Sequence, residues 1–247
     1  MSLLEAGAVV LAGLGAGTIN AVVGSGSLIT FPTLLAVGLP PVVANVSNTV
    51  GLVPGGVSGA WGYRRELTGQ RSRLRRLGSA TVSGAVVGAL LLLVLPEEVF
   101  AAVVPALILL ACVMVVLQPW LVRRLGERPR HEHGGAVVWL LVFATGIYGG
   151  YFGAAQGVLL IAVLGLGLDE TLQRVNAAKN VLAGLANLVA GVVFVLVADV
   201  NWAAVGLVAV GATAGGLLGA RVGRTLPPAM LRGVVVAVGL AAVVILR

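Results

Sequence analysis

Long apolar runs, separated by glycines and short polar stretches, dominate this chain. They fall at about 3–23, 26–38, 42–61, 77–95 and 99–117, and again at 136–152, 155–168, 172–197, 202–220 and 229–246. Most have the ~17–25 residues that an α-helix needs to cross a bilayer. The second run of each set is shorter and would give roughly 20 Å of helix. It either crosses only the protein interior or forms a re-entrant hairpin with the run before it. The pattern predicts an all-α integral membrane protein of two sets of about five helical segments.

The two sets are copies of one design. Gly17, Gly24, Gly38 and Leu39 recur 129 positions later as Gly146, Gly153, Gly167 and Leu168. After a two-residue insertion, Asn45, Val50, Gly84, Gly88, Ala89, Leu95 and Pro96 match Asn176, Val181, Gly215, Gly219, Ala220, Leu226 and Pro227, 131 positions on. The expected organisation is a first membrane repeat over 1–117, a linker over 118–135 and a second repeat over 136–247. Internal repeats in an apolar chain mark transporters built from two halves around a shared site.

Charge fixes the expected orientation. Arg64, Arg65, Arg71, Arg73, Arg75 and Arg76 lie in 62–76, and Arg123, Arg124, Arg128 and Arg130 lie in 118–135. Arg221 and Arg224 flank the ninth run, with Arg232 just beyond. The positive-inside rule places all three loops in the cytoplasm. Ten crossings satisfy it, with both termini and the short loops at Glu97 and Asp199 outside. An odd number of crossings per half makes the repeats inverted, and a re-entrant hairpin plus three crossings is odd too. Trp61, Trp120, Trp139 and Trp202 sit at or near segment ends, as headgroup-level aromatics do. Gly84/Gly88, Gly215/Gly219, Gly55/Gly59 and Gly149/Gly153/Gly157 have the small-xxx-small spacing of closely packed membrane helices.

Composition narrows the class further. Of 247 residues, 59% are hydrophobic and 10% are charged, against ~25% charged in soluble domains. The net charge of +7 reflects loop arginines, so no nucleic-acid partner is expected. Cys112 stands alone, which excludes an intrachain disulfide. The N-terminus lacks the basic n-region of a signal peptide, and its apolar run belongs to the repeat, so retention is expected. There is no Ser/His/Asp set, no His-Glu-x-x-His and no cysteine cluster. His131-Glu132-His133 reads as solvated loop. No enzyme activity, cofactor or metal is expected.

Two constellations can carry chemistry. The first is the glycine break between the first two runs of each half: Gly24, Ser25, Gly26 and Ser27, and then Gly153, Ala154, Ala155, Gln156 and Gly157. Glycine-interrupted runs at matching repeat positions point to a transport site. A helix starting there offers N–H groups and partial positive charge to an anion. The second is the third run of each half, where Asn45, Asn48 and Thr49 share one helix face and Asn176, Lys179 and Asn180 repeat it, with Asn187 further along. Lys179 is the only charged residue well inside an expected span, and such a residue is functional by default. A lone cation among amide, hydroxyl and backbone donors describes an anion site. The competing readings are interhelical hydrogen bonding for the amides and snorkelling to the headgroups for the lysine.

Residues 15–34, Gly-Ala-Gly-Thr-Ile-Asn-Ala-Val-Val-Gly-Ser-Gly-Ser-Leu-Ile-Thr-Phe-Pro-Thr-Leu, resemble the opening signature of the TauE/SafE family of sulfite-exporter-like permeases. Ala-Asn-Val-Ser-Asn-Thr at 44–49 resembles its next motif, and 146–160 and 175–181 match less closely. Ser27 and Ala154-Ala155-Gln156 depart from the usual glycine-rich pattern. The resemblance implies a multi-pass protein of the bacterial inner membrane that moves sulfite, sulfonate, sulfoacetate or a similar anion. The expectation is a secondary transporter working by alternating access. An anion channel with the same site and a non-transporting scaffold remain open, as do direction, coupling ion and a homo-oligomeric state.

Overall fold

The computed structural model describes residues 1–124, 135–222, 230, 233 and 236–240. Its described helices are α1 (Leu3–Val22), α2 (Ser27–Ala36), α3 (Pro41–Gly62), α4 (Arg71–Val94) and α5 (Glu97–Arg124) in the first half. The second half contributes α6 (Ala136–Tyr151), α7 (Gln156–Gly167), α8 (Leu172–Val197) and α9 (Trp202–Val222). The tenth expected run, the loop at 223–229 and His131–His133 lie wholly or largely outside the described residues. Gly239, within that run, lies against Cys112, Ile108 and Leu28.

Local signals explain the helix ends. Ser2 and Glu5 form a reciprocal capping box at the start of α1, with Ser2 N–H donating to Glu5 Oε2 at 2.7 Å and Glu5 N–H to Ser2 Oγ at 3.3 Å. Pro41 opens α3, where its missing N–H costs nothing. Two boundaries differ from expectation. Arg71, Arg73, Arg75 and Arg76 form the first turns of α4 and are not loop. α5 runs on to Arg124, past the expected end at 117. Arginine is a good helix former, so both helices continue beyond their apolar cores.

Five described helices are long and apolar enough to cross a membrane: α1, α4, α5 to Trp120, α8 and α9 to Arg221. α3 is long enough but carries buried Asn45, Asn48 and Thr49 and several glycines. It is sheltered by α8 and α9, on which it packs. α2 and α7, with 10 and 12 residues, are the short second segments.

The halves interlock by exchange. α1 packs on α9, and its counterpart α6 packs on α4; α3 packs on α9, and α8 packs on α4. Glycines set the closeness of these crossings. A Cβ on Gly17 would lie 2.2 Å from Ala212 O, and one on Gly215 2.1 Å from Leu14 O, across the α1–α9 seam. At the α4–α6 seam, a Cβ on Gly88 would lie 2.0 Å from Ile147 O, and one on Gly150 2.2 Å from Ala85 O. Lipid gives helices no hydrophobic reason to associate, so backbone-to-backbone contact supplies the attraction.

α3 and α8 lie side by side and run in opposite directions. Near the start of α3, Ser47 Oγ accepts from the N–H of Asn201, which follows α8, at 3.0 Å. At the other end, the segment after α3 is tied to the start of α8. Glu170 pairs with Arg73 at 2.9 Å and with Arg174 at 2.6 Å, and Arg174 Nη1 donates to Thr68 O at 3.0 Å. Gln70 Nε2 donates to Arg174 O at 3.1 Å. Burial pushes the Glu170 carboxyl up, but the hydrogen bonds and charges of Arg174 and Arg73 outweigh this and hold it below the ordinary carboxylate range.

Two outcomes follow for stability. Gly88→Ala or Gly219→Ala should destabilise the detergent-purified protein by about 1–3 kcal/mol, because each added Cβ meets a backbone carbonyl. Gly206→Ala, also in α9 but with nothing within 4 Å, should be neutral or slightly stabilising. Thermal unfolding of the three variants separates these outcomes. The second concerns Glu170, whose lowered folded pKa makes its contribution complete above the ordinary carboxylate value of about 4.3. That contribution is lost as pH falls through the folded value. Glu170→Gln should therefore cost about 1–3 kcal/mol at neutral pH. The melting gap to the parent should close in strongly acidic buffer, and a gap independent of pH would contradict the pairing.

Candidate functional site

Each break is a chain reversal made by a glycine. After α1, the N–H groups of Val23 and Gly24 both donate to Ile19 O, at 2.7 and 2.9 Å, and Gly24 takes φ +90°. After α6, Phe152 and Gly153 both donate to Tyr148 O, at 2.9 and 3.0 Å, and Gly153 takes φ +76°. Only glycine adopts such angles without steric cost. Ala155, just before α7, is left-handed as well, at φ +58°.

The two breaks meet. Gly157 N–H donates to Gly24 O at 3.0 Å. A Cβ added to either glycine would lie 2.4 Å from the other's Cα. Non-helical backbone is tolerated at membrane depth only where protein or a wet cavity surrounds it, and here each break shelters the other.

Around this junction, each half closes the other's first helix. The last carbonyls of a helix have no partner within it. Asn176 Nδ2 and Asn180 Nδ2 donate to Ala21 O at 3.0 and 3.2 Å, and Lys179 Nζ donates to Asn20 O at 2.7 Å and Ala21 O at 3.4 Å. In the opposite sense, Asn45 Nδ2 donates to Tyr151 O at 2.9 Å, at the end of α6. An ammonium at a helix C-terminus also meets the negative end of the helix dipole. Lys179 is 0% exposed, with its Cδ beside both Gly24 and Gly157. The lysine therefore does not snorkel: its ammonium is turned into the junction.

Beside the junction is a narrow cleft, part of it open to solvent. It lies where α3 and α8 cross, with Gly56 against Gly184. Of the residues in the two sequence constellations, Gly24, Ser27, Gly153, Gln156, Gly157, Asn180 and Asn187 line it. Lys179 stands behind Gly24 and Gly157. Ser25, Gly26, Asn45, Asn48, Thr49 and Asn176 are not part of its lining. Gly26 N–H donates to Asn20 Oδ1 at 2.7 Å, Thr49 Oγ1 donates to Asn45 O at 2.9 Å, and Thr30 Oγ1 donates to Asn48 Oδ1. Ser25 Oγ, Asn45 Oδ1, Asn48 Nδ2 and Asn176 Oδ1 are buried without a hydrogen-bond partner among the described residues.

The helix starts offer less free N–H than expected. Gly157 N–H is taken by Gly24 O, and Gln156, Leu28 and Ile29 N–H by Gly153, Ser25 and Gly26 carbonyls. Side-chain donors are thus the main polar content of the cleft. One of them, Asn20, is absent from the sequence-based set, and Asn187 enters it only as a residue further along the polar helix. The duplication hides Asn20, because its counterpart is Gly149, and Asn187 likewise has a glycine, Gly56, as its counterpart. In the second half the polar group comes from the other side of the break: Gln156 lies over Gly149, with its Nε2 3.5 Å from Thr145 O. Among the described residues no group of three or more His, Cys, Asp or Glu is placed to hold a metal.

Comparison with known proteins adds the family. The chain is 26% identical over 225 residues to the probable membrane transporter protein YfcA of Escherichia coli K12, covering 90% of this chain and 82% of that protein. It is 26% identical over 226 residues to a probable membrane transporter protein of Haemophilus influenzae, covering 91% and 87%. A probable membrane transporter protein, ORF9, of Sinorhizobium is 31% identical over 146 residues, covering 58% and 54%. No solved structure matches. The profile described as sulfite exporter TauE/SafE matches residues 9–246, and with this match over nearly its whole length the chain belongs to the TauE/SafE family of multi-pass membrane transporters.

Proposed function

We propose that this protein is a secondary transporter of the bacterial inner membrane that moves a small sulfur-containing anion by alternating access between two inverted halves. The observation that carries this reading is the junction of the two breaks, with Lys179 buried behind it and the cleft in front. Backbone carbonyls satisfy the ammonium's hydrogen bonds but supply only partial negative charge, so an anion in the cleft supplies the missing full charge. Asn180, Gln156 and Ser27 donate to it from the cleft wall, joined by Asn20 and Asn187. Asn45 and Asn176 act as positioning residues at the ends of α6 and α1. The opposite directions of α3 and α8 support inversion, since these are equivalent helices of the two copies. Arg64, Arg65 and Arg221 around one hollow, with Arg73 and Arg174 on Glu170, support a cytoplasmic assignment for that face. A sulfur oxyanion is favoured by the family description and by a site made of donors rather than carboxylates.

The test begins with thermal shifts of the purified protein in sulfite, sulfate, thiosulfate, sulfoacetate and taurine. One or more of these anions should raise the melting temperature, and Lys179→Ala should abolish the shift while the protein still inserts and folds. Lys179→Arg should retain part of it, because a planar fork replaces a compact ammonium poorly in a tight site. Saturable counterflow of the same anion in proteoliposomes is expected of a transporter, and conduction without counterflow would mean a channel. An unchanged anion shift in Lys179→Ala would remove the lysine from the site.

A separate outcome concerns the junction itself. Gly157→Val should eliminate the anion shift, since even a Cβ meets Gly24 Cα. Ser27→Ala should weaken the shift about 5–10-fold in apparent affinity, the cost of one hydrogen bond of about 1–1.5 kcal/mol. Normal anion binding in folded Gly157→Val would place the site elsewhere.

A further inference from the structure

A second, unrelated hollow lies on the arginine-rich face, where the end of α3 meets the end of α9. Trp61, Arg64, Arg65 and Arg221 surround about 900 Å³, counting space open to the surroundings. Arg64 is held in place there: its guanidinium carbon is 4.2 Å from the centroid of the Trp61 ring, and its Nη1 donates to Trp61 O at 3.2 Å. Among the described residues no carboxylate lines this hollow. On the same face Arg73 and Arg174 are already paired with Glu170, and Glu66, on the same loop, is half-buried and outside the lining.

The hollow continues into an apolar groove between α3 and α9, which share Trp61 and Leu217 with it. The groove runs from Trp61 back along α3 through Val57 to Val53, about 12 Å of helix. Val57 is 63% exposed and Trp61 57%. The two hydroxyls in its wall are turned into helix carbonyls: Ser58 Oγ donates to Gly55 O and Thr213 O, and Thr213 Oγ1 donates to Ala209 O. The wall therefore presents hydrocarbon, and the end of the groove presents three guanidinium groups beside a tryptophan.

The geometry points to a binding site for one anionic phospholipid, its phosphate among Arg64, Arg65 and Arg221 and an acyl chain along the α3–α9 groove. Charge complementarity selects the headgroup: basic pockets at the membrane interface between helices favour anionic over zwitterionic lipid, and guanidinium forks match phosphate oxygens bidentately. The open apolar continuation selects a lipid over free phosphate, because only a lipid has an acyl chain to lay along it. Both lining helices also contact the junction or its partner helix, α3 through Gly55, Gly56 and Gly59 in the cleft and α9 through the α1 seam. A lipid wedged there bears on the relative position of the two halves.

Native mass spectrometry of the full-length protein, with phosphatidylglycerol and phosphatidylcholine of identical chains, tests the site. Phosphatidylglycerol should bind on the order of ten-fold or more tightly than phosphatidylcholine. The exposed triple variant Arg64→Gln/Arg65→Gln/Arg221→Gln should fall to the phosphatidylcholine level. Val57→Trp, which fills the groove and leaves the arginines intact, should lose phosphatidylglycerol as well. Millimolar inorganic phosphate should not displace the lipid. Equal retention of the two lipids, full retention by the triple variant, displacement by phosphate alone, or occupation of the groove by a second copy of the chain would each overturn the assignment. None of these residues belongs to the anion cleft, so failure here leaves the thermal-shift test of that cleft untouched.

Discussion

The arrangement depends on one contact: the interrupted backbone of one half against that of the other, at Gly24 and Gly157. A bilayer offers no water to unpaired N–H and C=O groups, so a helix cannot simply stop within it. Here each stop is completed from the opposite half. The Gly157 N–H finds Gly24 O, the end of α1 is closed by Asn176, Lys179 and Asn180, and the end of α6 is closed by Asn45. Each half satisfies part of its own break and leaves the rest to the other, which is a physical reason for the duplicated design to work as a pair.

The same contact makes the two halves unequal where chemistry is expected. The position of Lys179 in the second copy is held by Asn48 in the first, and that of Asn187 by Gly56. Duplication supplies the scaffold, and departures from it supply polarity to one side of the junction. The cleft takes up that side, bounded by glycines of α3 and amides of α8. Behind Gly24 and Gly157, the Lys179 side chain is held by carbonyls at the end of α1.

Much of this was legible in the sequence, and the reasons are specific. The short runs 26–38 and 155–168 correspond to α2 and α7, because glycines and prolines mark their ends. The run 172–197 coincides with α8. The start of α4 was misplaced because arginines read as loop by charge are good helix formers once the helix projects beyond the lipid. The polar faces of α3 and α8 were visible from spacing, but spacing cannot tell an amide that closes a carbonyl end from one that lines a cleft. Asn45 and Asn176 are of the first kind, and Asn180 does both. Asn20 went unread because repeat matching favours shared residues, and its counterpart is a glycine. The meeting of the two breaks is a tertiary fact with no signature at the distance of 133 residues that separates Gly24 from Gly157.

On the proposed function, an anion occupies the cleft beside this junction. Ala183 lies on its wall, one turn along α8 from Lys179. With Cys112 replaced by serine, the Ala183→Cys protein carries a single thiol at that wall and keeps every donor of the site. Its rate of alkylation by a small maleimide, followed in proteoliposomes with sulfate, sulfoacetate and taurine as protecting solutes, reports occupancy directly. The account predicts saturable protection by an anion that also shifts the melting temperature of the parent protein, and none by the cation choline. A rate unaffected by any anion that stabilises the parent would contradict it.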